Sequence, residues 1–329
     1  GFPGWLFRHL VGNILATWKT LVSVLPNNEI DLIHSHGNLA ALLLSKFSRV
    51  PVVYTEHDST PWSTHYRSSS ERGIRRIIYR LLNVTAFKNS SGIIVLYPRM
   101  KRELESRWKV HGDRIMVIPG GINEGFIRDV DPTRRGQTTN PTPFNDYCLF
   151  IGRLTDRKGA DVLIRALKDT VALSCVIIGD GPELGRLQAL VNQLELGGRV
   201  HFAGAIDHDS LAPFLLHAGL FALPSFSEGL PLTILEGMSA GLPVVASDIA
   251  GIPSVIAHGE NGFLIEPGDR NSLTFWLNQL ARNPDQVASM GAYSRQLIQD
   301  YYTWDAIASR IIAFYGYVLD DQEPRHSRP

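Results

Sequence analysis

Two acids, Glu228 and Glu236, stand eight positions apart in the stretch Ser227–Val245, SEGLPLTILEGMSAGLPVV. Their surroundings are small and apolar. Leu220–Leu223 reads as a strand and Pro224–Leu230 as a Gly-containing loop. Pro231 suits the first turn of a helix, where its missing N–H is not needed. Gly241 and Pro243 then stop that helix. Glu228 is therefore expected in a loop at the carboxyl end of a strand, and Glu236 within the helix that follows. Open parallel sheets bind ligands at that rim, where a helix N-terminus also offers N–H groups to phosphate.

A second stretch, Ile151–Asp161 (IGRLTDRKGAD), ends a strand at Gly152 and carries Arg153 and Lys158 to the same rim. Both are placed to reach a pyrophosphate, where a charge-assisted hydrogen bond is worth about 1.5–3 kcal/mol. A third, Gly179–Leu184 (GDGPEL), is a strand-to-helix turn and on its own a weak signal. Each residue also has an ordinary alternative: a solvated helix acid, a loop charge, surface cations. His34 and His36 face one side of a strand and could suggest a metal pair, but no third ligand is visible, so they read as structural. Asp129-Val130-Asp131 imitates an acidic metal motif but sits in a linker and reads as coincidence.

These residues need a scaffold, and the apolar runs supply it. Asp31–His34, Pro51–Thr55, Gly92–Leu96 and Arg114–Ile118 read as buried strands in the first half. Tyr147–Ile151, Ser174–Ile178, Val200–Phe202, Leu220–Leu223, Pro243–Ala246 and Gly262–Ile265 do so in the second. Helical patterns fit between them at Ala160–Lys168, Glu183–Leu194, Asp209–His217 and Leu232–Ala240. Strand alternating with helix at this rhythm means parallel sheets covered on both faces. The expected fold is α/β, with two Rossmann-like doubly wound domains. Residues 1–130 form the first and 146–300 the second; the polar, Pro- and Thr-rich residues 131–145 form a linker, and 301–319 a helix packing back towards the first domain. The first half shows about four strands against about six, and the chain opens on helix-like sequence. A first domain lacking its first strands is expected, with activity impaired relative to an extended chain.

The bulk numbers agree with this size and class. The 329 residues suit about two domains of roughly 150 each. Hydrophobic residues make up 44% and charged ones 19%, and no apolar run approaches the ~18 residues of a membrane span. No signal-peptide pattern is read at the start. Cys148 and Cys175 lie in strand-like runs and read as buried thiols in a reducing compartment, so a cytoplasmic protein is expected. Net charge is zero but uneven. Residues 1–130 hold 17 Lys+Arg against 10 Asp+Glu, and the remainder 15 against 22. A basic first half suits an anionic partner such as a phospholipid surface. Within it, Arg72, Arg75, Arg76 and Arg80 alternate with apolar residues as in an amphipathic helix, either packed on the core or resting on the inner face of a membrane. The basic excess lacks interleaved aromatic platforms, which argues against a nucleic-acid partner.

Taken in order, Gly152-Arg153…Lys158-Gly159, IIGDGPE, VHFAG, LPSFSEGLPLTILEGMSAGLPVVASDIAGIPSVI and GENGFLIEPGD resemble the retaining family 4 glycosyltransferases of the GT-B fold. DLIHSHG, VVYTEHD and VIPGGIN resemble that family's first domain. The resemblance implies two domains facing across a cleft and a sugar taken from a nucleotide-diphosphate donor (UDP-, GDP- or ADP-linked) as substrate, with no metal and no further cofactor. It implies that Arg153 and Lys158 bind the diphosphate, that Glu236 accepts from the ribose hydroxyls, and that Glu228 contacts the transferred sugar. Gly152, Gly179, Gly229, Leu230 and Pro231 would line the donor, Phe202 would lie near the base, and His57 would face the donor sugar. The acceptor it implies is a glycan or lipid-linked molecule, as in cell-surface polysaccharide or glycolipid synthesis. The alternatives are a nucleotide-sugar-binding pseudoenzyme, a nucleotide-sugar epimerase and an inverting transferase; the spacing of the two glutamates and the Arg–Lys pair argue against the last two.

Overall fold

The computed structural model describes residues 17, 19, 20, 29–57, 74–171 and 173–322, with the side chains of 74–81 and 321–322 excepted. Arg72, and the side chains of Arg75, Arg76 and Arg80, lie outside the described residues. The chain divides into two compact units. The first comprises Gly1–Trp62, Ser68–Pro119 and Ala308–Pro329, the second Ser63–Arg67 and Gly120–Ile307.

Among the described residues the first unit is built on four parallel strands, β1 (Ile33–Ser35), β2 (Val52–Glu56), β3 (Gly92–Val95) and β4 (Ile115–Val117), side by side in chain order. Every residue of β2 and β3 is buried, as expected of strands covered on both faces. Helices Asn38–Phe47, Ile74–Asn89 and Pro98–Trp108 connect them, burying Ala41, Leu44, Phe87, Met100 and Leu104. The chain's last helix, Trp304–Gln322, enters this unit at Ala308. Phe314 and Val318 pack over Gly92, where an added Cβ would lie 2.9 and 2.8 Å from them. Only a glycine at the start of β3 admits that helix so closely.

Among the described residues the second unit has six parallel strands, β5 (Tyr147–Ile151), β6 (Cys175–Ile178), β7 (Val200–Gly204), β8 (Ala218–Leu223), β9 (Val244–Ser247) and β10 (Gly262–Ile265). Their spatial order is β10-β9-β8-β5-β6-β7. The chain starts in the middle at β5, builds outward through β6 and β7, then crosses back to β8 and builds the other way. The order reverses between β5 and β8, the point at which doubly wound sheets open a crevice beyond their carboxyl ends. β5 is wholly buried because every face of it meets a neighbour; Tyr147 spends its hydroxyl on the Phe214 carbonyl at 2.7 Å. Cys148 and Cys175 are register partners in β5 and β6, both free and buried, and burial pushes the Cys148 thiol up.

Two details depart from the sequence reading. Pro231 is the residue just before the helix Leu232–Ser239, with φ −71° and ψ 119°, and not part of its first turn. The segment expected as one helix over Asp209–His217 is a 3₁₀ turn, His208–Ser210, followed by a separate helix, Ala212–His217. Pro213 has no N–H to bond back to Asp209, so the helix restarts around it. Residues 131–145 are polar and mostly irregular, with one 3₁₀ segment, Pro132–Gln137, capped by Asp131. Arg295 ties this segment down: its Nη2 donates to Asp131 Oδ2 at 2.5 Å and its Nη1 to the Ser239 carbonyl at 2.6 Å.

Candidate functional site

The loops that leave β5, β6 and β8 converge at the reversal point of the second sheet. Gly152 ends β5, its N–H bonding the Ile178 carbonyl at 3.0 Å. Gly179 ends β6 at φ +135°, a conformation closed to most L-residues. A Cβ there would stand 2.0 Å from the Gly152 carbonyl oxygen. Gly181 is as tight against the Leu154 carbonyl, at 2.3 Å. The two loops are thus pressed backbone to backbone, and above them lies a groove of about 470 Å³ walled by Gly152, Arg153, Gly179, Asp180, Ile206 and Leu211 among others. Arg153 is exposed on this wall.

The loop after β5 also meets the loop after β8. Gly159, at φ +68°, leaves no space for a side chain against the Pro224 carbonyl, and Phe226 N–H bonds the Arg157 carbonyl at 2.7 Å. This contact brings Lys158 to Glu228. Lys158 Nζ donates to both carboxylate oxygens, at 2.8 and 2.9 Å, and Ser225 Oγ donates to Oε1 at 2.6 Å. The Glu228 side chain is 7% exposed and the Lys158 side chain 25%, so the pair is partly withdrawn from water. Gly229 holds the Gly251 N–H through its carbonyl at 2.9 Å, and Leu230 is buried beside Pro231.

Glu236 lies one turn and more into the helix Leu232–Ser239 and is buried. Burial pushes its carboxyl above the ordinary range, and His208, with Nε2 3.3 Å from Oε1, offsets only part of that rise. His208 was not anticipated from the sequence. The signal available was its position in a loop leaving the carboxyl end of a strand, within Asp207-His208-Asp209. Ser225 was missed as well, since a serine in a loop carries no pattern of its own. Phe202 is half-buried in β7, paired in register with Ile177.

The remaining candidate, His57, is exposed at the end of β2 in the first unit. Its Nε2 is 2.8 Å from His36 Nδ1, and the two rings stack with centroids 5.1 Å apart. Partial desolvation of its ring at the end of the strand, and then His36, lower its pKa. His34 is engaged on both sides, Nδ1 with the Tyr315 hydroxyl at 2.5 Å and Nε2 with Thr55 Oγ1 at 2.6 Å. Among the described residues no group of three or more His, Cys, Asp or Glu could hold a metal ion. Asp131 caps its own turn and pairs with Arg295.

A Gly-rich, cation-bearing crevice at the reversal point of a doubly wound parallel sheet, with acids on the rim, is the architecture of a Rossmann-like unit. Residues 137–297 match the family model described as glycosyl transferases group 1, and residues 1–126 match that of glycosyltransferase family 4. The chain belongs to these glycosyltransferases, enzymes with two Rossmann-like domains of the GT-B fold. It is 26% identical over 315 residues to an uncharacterized glycosyltransferase of Methanocaldococcus jannaschii, covering 94% of this chain and 82% of that protein. A D-inositol 3-phosphate glycosyltransferase of Streptomyces scabiei is 27% identical over 321 residues, covering 88% and 69%. The solved structure of a sucrose-phosphate synthase from Thermosynechococcus elongatus superposes with a TM-score of 0.78 at 25% identity, covering 89% of this chain and 74% of that one. Among the described residues no helix is long and apolar enough to cross a membrane.

Proposed function

We propose that the second unit binds a nucleotide-diphosphate sugar and that the enzyme transfers the sugar, with retention, to a glycan or lipid-linked acceptor. The observation that carries this reading is the Lys158–Glu228 pair at the reversal point, beside the groove and just before the helix that holds Glu236. A diphosphate needs cations and free N–H groups. Lys158, Arg153 and the first turn of the helix Leu232–Ser239 offer them within one rim. A vicinal diol needs an acceptor for two hydroxyls, and the carboxylate of Glu236 is such an acceptor.

In this reading Glu228 orients Lys158 and accepts from hydroxyls of the sugar; it is not a nucleophile. The acceptor oxygen attacks the face from which the diphosphate leaves. The bond from the anomeric carbon to the phosphate oxygen breaks as the new glycosidic bond forms, and the departing phosphate oxygen takes the acceptor's proton. Lys158 and Arg153 stabilise the charge that develops on the leaving group, in a site already arranged before the reaction. The inositol-phosphate relative supports an acceptor that is polar and polyhydroxylated.

The test is a thermal-shift panel with UDP, GDP and ADP on the wild type and on Glu236→Ala. A ligand at a hundredfold excess over Kd raises stability by about 2.7 kcal/mol. One nucleotide is expected to stabilise the wild type and not the variant. The matching nucleotide sugar is then supplied with acceptors, and the anomeric configuration of the product is read by NMR. Stabilisation by no nucleotide, or an inverted product, would count against the reading.

A further inference from the structure

The donor reading leaves His208 without a role, yet two other segments of the second unit meet its half-exposed imidazole. Its own backbone forms the 3₁₀ turn between Ile206 and Leu211, both walls of the groove. Phe126, from the helix Glu124–Asp129, lies against the imidazole with ring centroids 4.6 Å apart and planes tilted by 31°. On its far nitrogen the imidazole meets the buried Glu236, Nε2 to Oε1 at 3.3 Å. Its other nitrogen is 3.9 Å from Asp209 Oδ1, a fully exposed group with little hold on it.

We propose that His208 is a positioning residue for Glu236, fixing the rotation of its carboxylate so that the remaining lone pairs point at the two ribose hydroxyls of the donor. The inference rests on the reading of Glu236 as the ribose acceptor. A carboxylate offers about four acceptor positions; one taken by His208 leaves enough for a diol. Without a donor on Oε1, the carboxylate is free to turn about its last torsion, which is broad and soft. Phe126 restrains the plane of the imidazole, so the direction of its N–H is set by packing. The contact also works electrostatically. Burial alone favours the neutral acid, which would lose acceptor capacity, and the adjacent imidazole opposes that.

The experiment measures binding of UDP, GDP and ADP, each against its 2′-deoxy counterpart, by calorimetry. The proteins are the full chain, His208→Ala, His208→Gln, Phe126→Leu and Glu236→Gln. The wild type is expected to prefer the ribonucleotide it binds by about tenfold or more, the worth of a hydrogen bond to a charged group. In His208→Ala that preference falls to within about twofold, while affinity for the deoxy form changes little. His208→Gln, whose amide can still donate to the carboxylate, keeps most of the preference. Phe126→Leu, which keeps the imidazole but frees it, loses part of it, and supplies the answer should His208→Ala fail to fold. A wild-type ratio retained in His208→Ala, or in Phe126→Leu if that alone folds, overturns the proposal. If Glu236→Gln loses the ratio in that case, Glu236 still binds ribose and only the role of His208 falls. If Glu236→Gln keeps it too, the ribose reading itself falls. A purely structural role for His208 would lower the affinity for both nucleotides alike, and that result also overturns the proposal.

Discussion

Lys158 and Glu228 are joined directly: Nζ lies 2.8 and 2.9 Å from the two carboxylate oxygens. The consequence is that the ammonium is already aimed, and little side-chain freedom remains to be lost on binding. Lys158→Ala is expected to weaken nucleoside-diphosphate binding by about tenfold to a hundredfold, the worth of one charge-assisted contact. Binding of the corresponding nucleoside, which has no phosphate, should be unchanged. Titration of both ligands against the variant checks this; equal losses for the two would place Lys158 elsewhere in the site.

Glu236 should trade stability for binding. Its carboxyl is buried and its pKa is raised. A carboxyl raised in the folded state binds protons more readily there than in the unfolded chain, so stability falls as pH rises from the ordinary carboxyl range through the raised pKa. Glu236→Gln, with no charge to bury, is expected to be as stable as the wild type or more so at pH 7, by up to about 1 kcal/mol. The difference should shrink towards pH 4. Chemical denaturation at both pH values measures it. A variant clearly less stable at pH 7 would mean that the charge is held favourably by His208.

The scaffold was legible because buried parallel strands are continuous apolar runs. Tyr147–Ile151 and Gly262–Ile265 occupy the residues that their composition implies, and Gly152, Gly179 and Gly241 fall at strand or helix ends as glycine should. The residue types of the candidate site were legible too: two cations and one acid in loops at the carboxyl ends of strands, and a second acid in the helix that follows. What the sequence did not carry is who meets whom. Lys158 and Glu228 are 70 positions apart, and their bond depends on β8 crossing back to lie beside β5. His208 belongs to a loop whose neighbours, Phe126 and Glu236, come from two other segments, so no local pattern announces it. The break at Pro213 was legible in principle and was overridden by the apolar spacing of the helix around it.

Gly179 tests whether the groove depends on backbone contact and not only on charged side chains. Its φ of +135° excludes an L-residue without strain, and an added Cβ would overlap the Gly152 carbonyl. Strain of about 1–3 kcal/mol is expected from the backbone alone, and more from the overlap. Gly179→Ala should therefore lower the melting temperature and weaken nucleotide binding, although no charged group is touched. Gly185→Ala is the control, since nothing lies within 4 Å of its Cβ position. If the two variants behave alike, the tight packing of the loops after β5 and β6 is unimportant.

His34 sets an acid limit on the first unit. Its ring is held between Tyr315 and Thr55, and its pKa is lowered to about 4, first by burial and then by His36 and His57. A histidine lowered in the folded state stays neutral there while the unfolded chain takes up a proton near pH 6.5. Between about pH 6.5 and 4 the unfolded chain therefore binds more protons, and stability is lost as pH falls through that range. His34→Asn, which cannot titrate, is expected to be less stable at pH 7 through its lost hydrogen bonds, but to lose less on acidification. Some slope should persist, because the pKa of His57 is lowered in the same direction. The measurement is the denaturation midpoint from pH 7 to pH 4 for both proteins. Parallel curves would show that His34 does not titrate on unfolding; converging curves are the expected result.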